Sequence, residues 1–166
     1  MALHYPCGGE PDMKIHTLTQ TQDIRATIGE AWRFFANVRN LPLLSPPSAR
    51  IRILGDPPEE AHEGMTLTHT MLALFVPVTW VSKIVVAEKP FSFMDEQQKG
   101  PFAQWRHRHS FAEIPGGVRV TDLVEYAVPF GPIGEIANAL FVRPQLESTF
   151  AFRRKKLDEL FGPPEA

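Results

Sequence analysis

Two histidines and one carboxylate carry the chemistry that can be read from this chain: His107, His109 and Asp122. A carboxylate beside an imidazole is a general acid/base arrangement. It can fix the ring's tautomer and leave the second nitrogen to face a ligand. In that role His109 is the acid/base, Asp122 its orienter, and Tyr126 or His107 a second proton donor. The same pair can equally be a buried, mutually satisfied contact that steadies a hairpin or orients a ligand, and this is the preferred reading. His107-X-His109 also has the spacing of two metal ligands on one strand, but a third ligand would have to be Asp122 or the distant His69. The single cysteine, Cys7, rules out a Cys-rich zinc site and an intramolecular disulfide. No metal and no cofactor are expected. No nucleophile elbow, phosphate-binding loop or dinucleotide fingerprint is present.

These residues need a hairpin to meet. Pro115-Gly116 predicts a two-residue turn between strands at 103–114 and 117–128, with Ile114 opposite Gly117. His109 then faces Asp122, His107 faces Val124, Trp105 faces Tyr126, and Phe111 faces Val120. Alternate residues point the same way, so these eight share one largely apolar face with Val118 and Val128. The other face carries Arg106 opposite Glu125 and Ser110 opposite Thr121, a solvated set. A one-residue slip would destroy the His-Asp pairing.

The remaining elements follow from periodicity. Alternation over 14–24 predicts a first strand. Thr27 with Glu30 matches a capping box, followed by Ile28, Ala31, Phe34 and Phe35 at helical spacing. Pro42, Pro46 and Pro47 limit the next helix to a short turn. Strands are expected at 50–54, 65–74, 78–88 and 92–98 before the hairpin. After Pro129, one helical stripe holds Ile133, Ile136, Ala137, Leu140 and Phe141. A second holds Leu146, Phe150, Arg153, Leu157, Leu160 and Phe161, with Pro144 between them marking a kink. The expected fold is α+β. A curled antiparallel sheet of about seven strands grips a long C-terminal helix, with two short helices after the first strand. If the helix cannot fill the concave side, an apolar cavity with a few polar groups remains.

Composition agrees with one domain. The chain has 166 residues, 16 prolines, 12 phenylalanines and a formal net charge of -2. Proline at nearly twice the average usage of about 5% excludes a helical bundle or coiled coil. The near-neutral charge disfavours a nucleic-acid or anionic-membrane surface. The basic run Arg153-Arg154-Lys155-Lys156 is read as the solvated face of a helix. No apolar run reaches the roughly 18 residues of a membrane span, no signal peptide is visible, and the cytoplasm is the default location. Residues 1–13 are expected to be a flexible arm, 14–161 the domain, and 162–166 a short tail. Leu72, Leu74, Phe75 and Val76 cluster at a hairpin tip. Such a tip is a partner surface, a pocket gate or a homodimer contact if exposed, and core if folded back.

The stretch from Phe93 to Pro129 resembles a bacterial branch of the START-like superfamily, also called SRPBCC or polyketide-cyclase/dehydrase-like. The matching residues are Phe93, Asp95, Glu96, Gln97, Gly100, Pro101, Phe102, Trp105, His107, His109, Phe111, Asp122, Val124, Tyr126 and Pro129. Leu44-Ser45-Pro46-Pro47 upstream and 131–161 downstream extend the resemblance over 14–161. It implies the birch-allergen-like helix-grip fold and a hydrophobic cavity. The superfamily's members bind lipids, sterols and polyketides, and some cyclise or dehydrate polyketide chains. The expected function is binding of a small apolar ligand between sheet and helix. The ligand set is Trp105, His107, His109, Phe111, Val120, Asp122, Val124 and Tyr126, with Trp80, Met71, Phe141 and Phe150. The alternatives are a cyclase or dehydratase using His109 and Asp122, and an interaction module without a ligand.

Overall fold

The structure is a computed structural model that describes residues 13–164. Most of the expected arm, Cys7 included, and the end of the tail lie outside the described residues. The elements are β1 (His16–Ile24), α1 (Ile28–Ala36), β2 (Arg52–Leu54), β3 (Thr66–Ala73), β4 (Val76–Glu88), β5 (Ser92–Lys99), β6 (Gln104–Ile114), β7 (Gly117–Ala127), α2 (Gly131–Ala137) and α3 (Arg143–Phe161). Single 3-10 turns at Val38–Asn40 and Pro47–Ala49 stand where the prolines forbid a longer helix. A π-helical segment, Asn138–Val142, joins α2 to α3, and Pro144 sits in the first turn of α3.

The strands form one antiparallel sheet in the order β1-β7-β6-β5-β4-β3-β2. Every neighbour is a hairpin partner except β1, which pairs with β7 and runs from His16 opposite Tyr126 to Ile24 opposite Val118. Irregularities between Val81 and Ser82 and between Ile84 and Val86 interrupt the β4–β5 ladder, and such bulges bend a sheet. The curled sheet closes on α3. Gln22 Nε2 on β1 donates to Asp158 Oδ1 at 2.7 Å and to the Arg154 carbonyl at 3.0 Å.

One end of the concave face is filled by α1. Its capping box is present: the Thr27 hydroxyl accepts from the Glu30 N–H, and the Glu30 carboxylate accepts from the Thr27 N–H. The helix buries Ala31, Trp32, Phe35 and Ala36 against Ile24, Phe111, Val118 and Val120. Trp32 meets Phe93 and Phe111 edge-on, at centroid distances of 5.8 and 6.3 Å.

The first stripe of the C-terminal helical region faces outward, not into the grip. Ile133, Ile136, Leu140 and Phe141 are all exposed, Phe141 at 56%. Two contacts fix that orientation. Gly134 is pressed so closely on the Pro129 carbonyl that a Cβ there would collide with it. Asn138 is buried, and its side-chain oxygen accepts from the Tyr126 hydroxyl at 3.0 Å. Small and polar residues therefore take the inner side, and the large apolar ones are left outside. The β3–β4 tip is also exposed, with Phe75 at 93%.

Candidate functional site

The other end of the concave face is not filled. A cavity of about 490 Å³ lies between the sheet and α3. Leu67, Met71 and Trp80 of β3 and β4, Phe93 and Trp105 of β5 and β6, and Leu146 and Phe150 of α3 line it. Exposed Leu74, Val76 and Phe130 also line it and so mark its opening. Trp80 packs edge-on against Trp105, with centroids 5.1 Å apart, and His69, its cross-strand partner on the same wall, stacks on it at 6.0 Å.

One buried stretch of the wall is polar. The β6–β7 register places His109 opposite Asp122, with Ile114 opposite Gly117 at a turn where Gly116 has a φ of 74°. Oδ1 of Asp122 receives three groups. His107 Nε2–H donates to it at 3.0 Å, Arg153 Nη1 donates at 3.2 Å, and His109 Nδ1 lies 2.6 Å away. The last approach is off the axis of a hydrogen bond, so that link is mainly electrostatic. Asp95 of β5 pairs with His107 in the sheet, and its Oδ1 lies 4.0 Å from His107 Nδ1. Asp95, His107, His109 and Arg153 line the cavity, and Asp122 stands behind them.

Burial and charge act against each other here. Burial pushes the Asp122 carboxyl up, but Arg153, His109 and His107 together outweigh it and hold the carboxyl well below the usual range. Burial, helped by the charge of His109, pushes His107 down against the pull of Asp122. Asp95 is raised by burial in spite of His107 and the Ser82 hydroxyl. Burial alone lowers His69 from 6.5 to about 4. The Nδ1 of His69 is buried without a partner.

Of the residues singled out in the sequence, Trp105, His107, His109, Trp80, Met71 and Phe150 lie on the cavity wall. Phe111 and Val120 do not; they are packed under α1. Val124 and Tyr126 are buried behind the wall, packed against the inner side of Phe150, and the Tyr126 hydroxyl is spent on Asn138, so it is no proton donor to the cavity. Phe141 faces out. The reading of Arg153 as part of a solvated run is overturned: only 6% of it is exposed, and it is paired with Asp122. Its spacing from Phe150 and Leu157 was the signal that it belonged to the inner stripe. Asp95 was visible only as a motif residue, because its position opposite His107 depends on β5–β6 pairing across a loop.

A family model described as "Polyketide cyclase / dehydrase and lipid transport" matches residues 24–152. No curated protein matches the chain in sequence. Among solved structures, a START superfamily protein from Mycobacterium smegmatis is 13% identical with a TM-score of 0.66, covering 87% of this chain and 99% of that one. A norcoclaurine synthase point mutant of Thalictrum flavum, bound to a transition-state analogue, is 14% identical with a TM-score of 0.64, covering 91% and 99%. Major latex-like protein 151 of Panax ginseng is 12% identical with a TM-score of 0.62, covering 90% and 99%. At such identities the likeness is one of fold.

Proposed function

The chain belongs to the polyketide cyclase/dehydrase and lipid transport family, and we propose that it binds a small hydrophobic or amphipathic molecule of lipid, polyketide or aromatic type in the cavity between the sheet and α3. The observation that carries this reading is the make-up of the wall: about 490 Å³ of space, apolar over most of its lining, with Asp95, His107, His109 and Arg153 gathered on one buried stretch. Ligand pockets commonly span roughly 300–1,000 Å³ and have this division of labour. Apolar contact supplies affinity at about 25 cal/mol per Å² removed from water, and the polar stretch orients the ligand. No described helix is long and apolar enough to cross a membrane.

Nile red titrated into the full chain tests the reading. Saturable binding with one dye per chain is expected. Leu146→Trp, which places a larger side chain in the cavity, weakens it at least tenfold without lowering the urea midpoint. Binding that never saturates, or that ignores Leu146→Trp, excludes the cavity as the site.

A second reading is favoured by the 2.6 Å approach of His109 to Asp122 beside the cavity. In it the protein is a cyclase or dehydratase. His109 moves a proton on the ligand, Asp122 holds its tautomer, and His107 is the second donor. His109→Ala then abolishes turnover of a polyketide-type substrate and leaves dye binding intact. Undiminished turnover removes this mechanism.

A further inference from the structure

We infer that Asp95, His107 and His109 form a binding site for a divalent transition-metal ion of the zinc type, at the cavity wall and with a coordination position open to the cavity. One donor atom from each of the three lies within 4.8 Å of the others. Two imidazoles and a carboxylate are a donor set such ions accept.

The surroundings match what metal-binding histidines require. Such a histidine gives one ring nitrogen to the metal, and its other N–H goes to a carboxylate that fixes tautomer and orientation. Asp122 serves both rings at once. It takes Nε2 of His107 and draws Nδ1 of His109, so the opposite nitrogen of each ring is left available. His107 Nδ1 is the one that faces Asp95, at 4.0 Å. Asp122 is therefore the orienting group: its Oδ1 holds His107 and Arg153 and draws His109, and it stands behind the wall that Asp95 lines.

Charge points the same way. Arg153 is spent on Asp122, so those two buried charges balance. Asp95 is the remaining carboxylate on the cavity wall, and the His107 ring and the Ser82 hydroxyl are what face it. A buried carboxylate is costly unless it is paired or bound to a cation. With bonds of about 2.1 Å, tetrahedral donors stand roughly 3.4 Å apart. The edges of the triangle need close by no more than about 1.4 Å, a distance that side-chain rotation can cover.

The open position alone rests on the reading of the cavity as a ligand pocket. The metal test needs no apolar ligand, and the dye test needs no metal, so the two can fail separately. The test is calorimetric titration of Zn²⁺ into the chelator-stripped full chain, with visible absorption of the Co²⁺ form. One ion per chain is expected, with Co²⁺ bands of a nitrogen and oxygen donor set. Asp95→Asn and His107→Ala should each weaken binding at least tenfold, and His69→Phe should leave it unchanged. Asp95→Asn keeps the side chain's size, so it decides the matter if His107→Ala unfolds. No stoichiometric binding, equal affinity in Asp95→Asn, or a thiolate band from Cys7 overturns the site. A bound metal also takes the lone pair of His109 that the acid/base reading needs, so the same titration separates those two roles.

Discussion

The two ends of the concave sheet face are built from the same strands and differ in what covers them. At one end Phe111, Val118 and Val120 of β6 and β7 meet Trp32 of α1, and the space is filled. At the other, Trp105, His107 and His109 of β6, on the same face, meet α3 across a cavity. Strand alternation decides which face a residue takes. The covering helix decides whether that face becomes core or pocket. α1 brings a tryptophan and a phenylalanine down on the sheet, whereas α2 and the π-helical segment after it turn Gly134 and Asn138 inward and keep their bulk outside. A pocket results where the helix has too little to fill the space.

The largest expected effect tests that contrast directly. Trp32 is 1% exposed in close-packed surroundings, and its indole N–H donates to Glu60 at 2.7 Å. Trp32→Ala should cost about 3–5 kcal/mol in urea denaturation. Trp80→Ala removes the same side chain from a wall that already borders empty space, so fewer packing contacts are lost and about half that cost is expected. Equal costs would mean that the cavity end is packed as tightly as the other.

The contrast also separates what the sequence could reveal from what it could not. The β6–β7 register was legible because Pro115-Gly116 sets the turn and both strands alternate, and the structure repeats it pair for pair. The helix-grip class, the capped helix and the outer positions of Arg106 and Glu125 followed from local patterns. Phe111 and Val120 could not be told from Trp105 by alternation, since only the position of α1 separates them. Phe141 was misplaced because its stripe has a helical period whichever way it faces, and a close approach at Gly134 turned it out. Arg153 carried two contrary signals, a basic run and an inner stripe, and a buried carboxylate on a distant strand decided between them.

A smaller effect comes from titration, and it belongs to the cavity end. His69 is neutral in the folded protein down to about pH 4, whereas the unfolded chain takes up its proton near 6.5. Below 6.5 the unfolded state binds more protons, so stability falls as pH falls and levels off below about 4. The full loss from this group is about 3 kcal/mol. His69→Phe, which keeps a ring against Trp80, should flatten that part of the stability curve between pH 7 and pH 4. A variant at the filled end, such as Phe111→Leu, should lower the curve without changing its slope. An unaltered slope in His69→Phe would place the titration elsewhere.

The smallest effect sharpens the comparison at the cavity's opening. Leu74 and Phe75 connect β3 and β4 with φ values of 48° and 70°, a left-handed conformation that bulky side chains disfavour. A tight hairpin of this kind prefers Asn-Gly. Phe75 is almost fully exposed, so packing does not offset its strain, and glycine at that position should stabilise the fold by about 1 kcal/mol. Leu74 is different. It lines the cavity, and its N–H donates to Gln145 Oε1 of α3 at 3.3 Å. Leu74→Asn therefore relieves strain but removes apolar wall, and its net stability change should be near zero while Nile red binding weakens. If Phe75→Gly instead lowers the urea midpoint, the exposed ring has a packing partner, and the tip is part of the core after all.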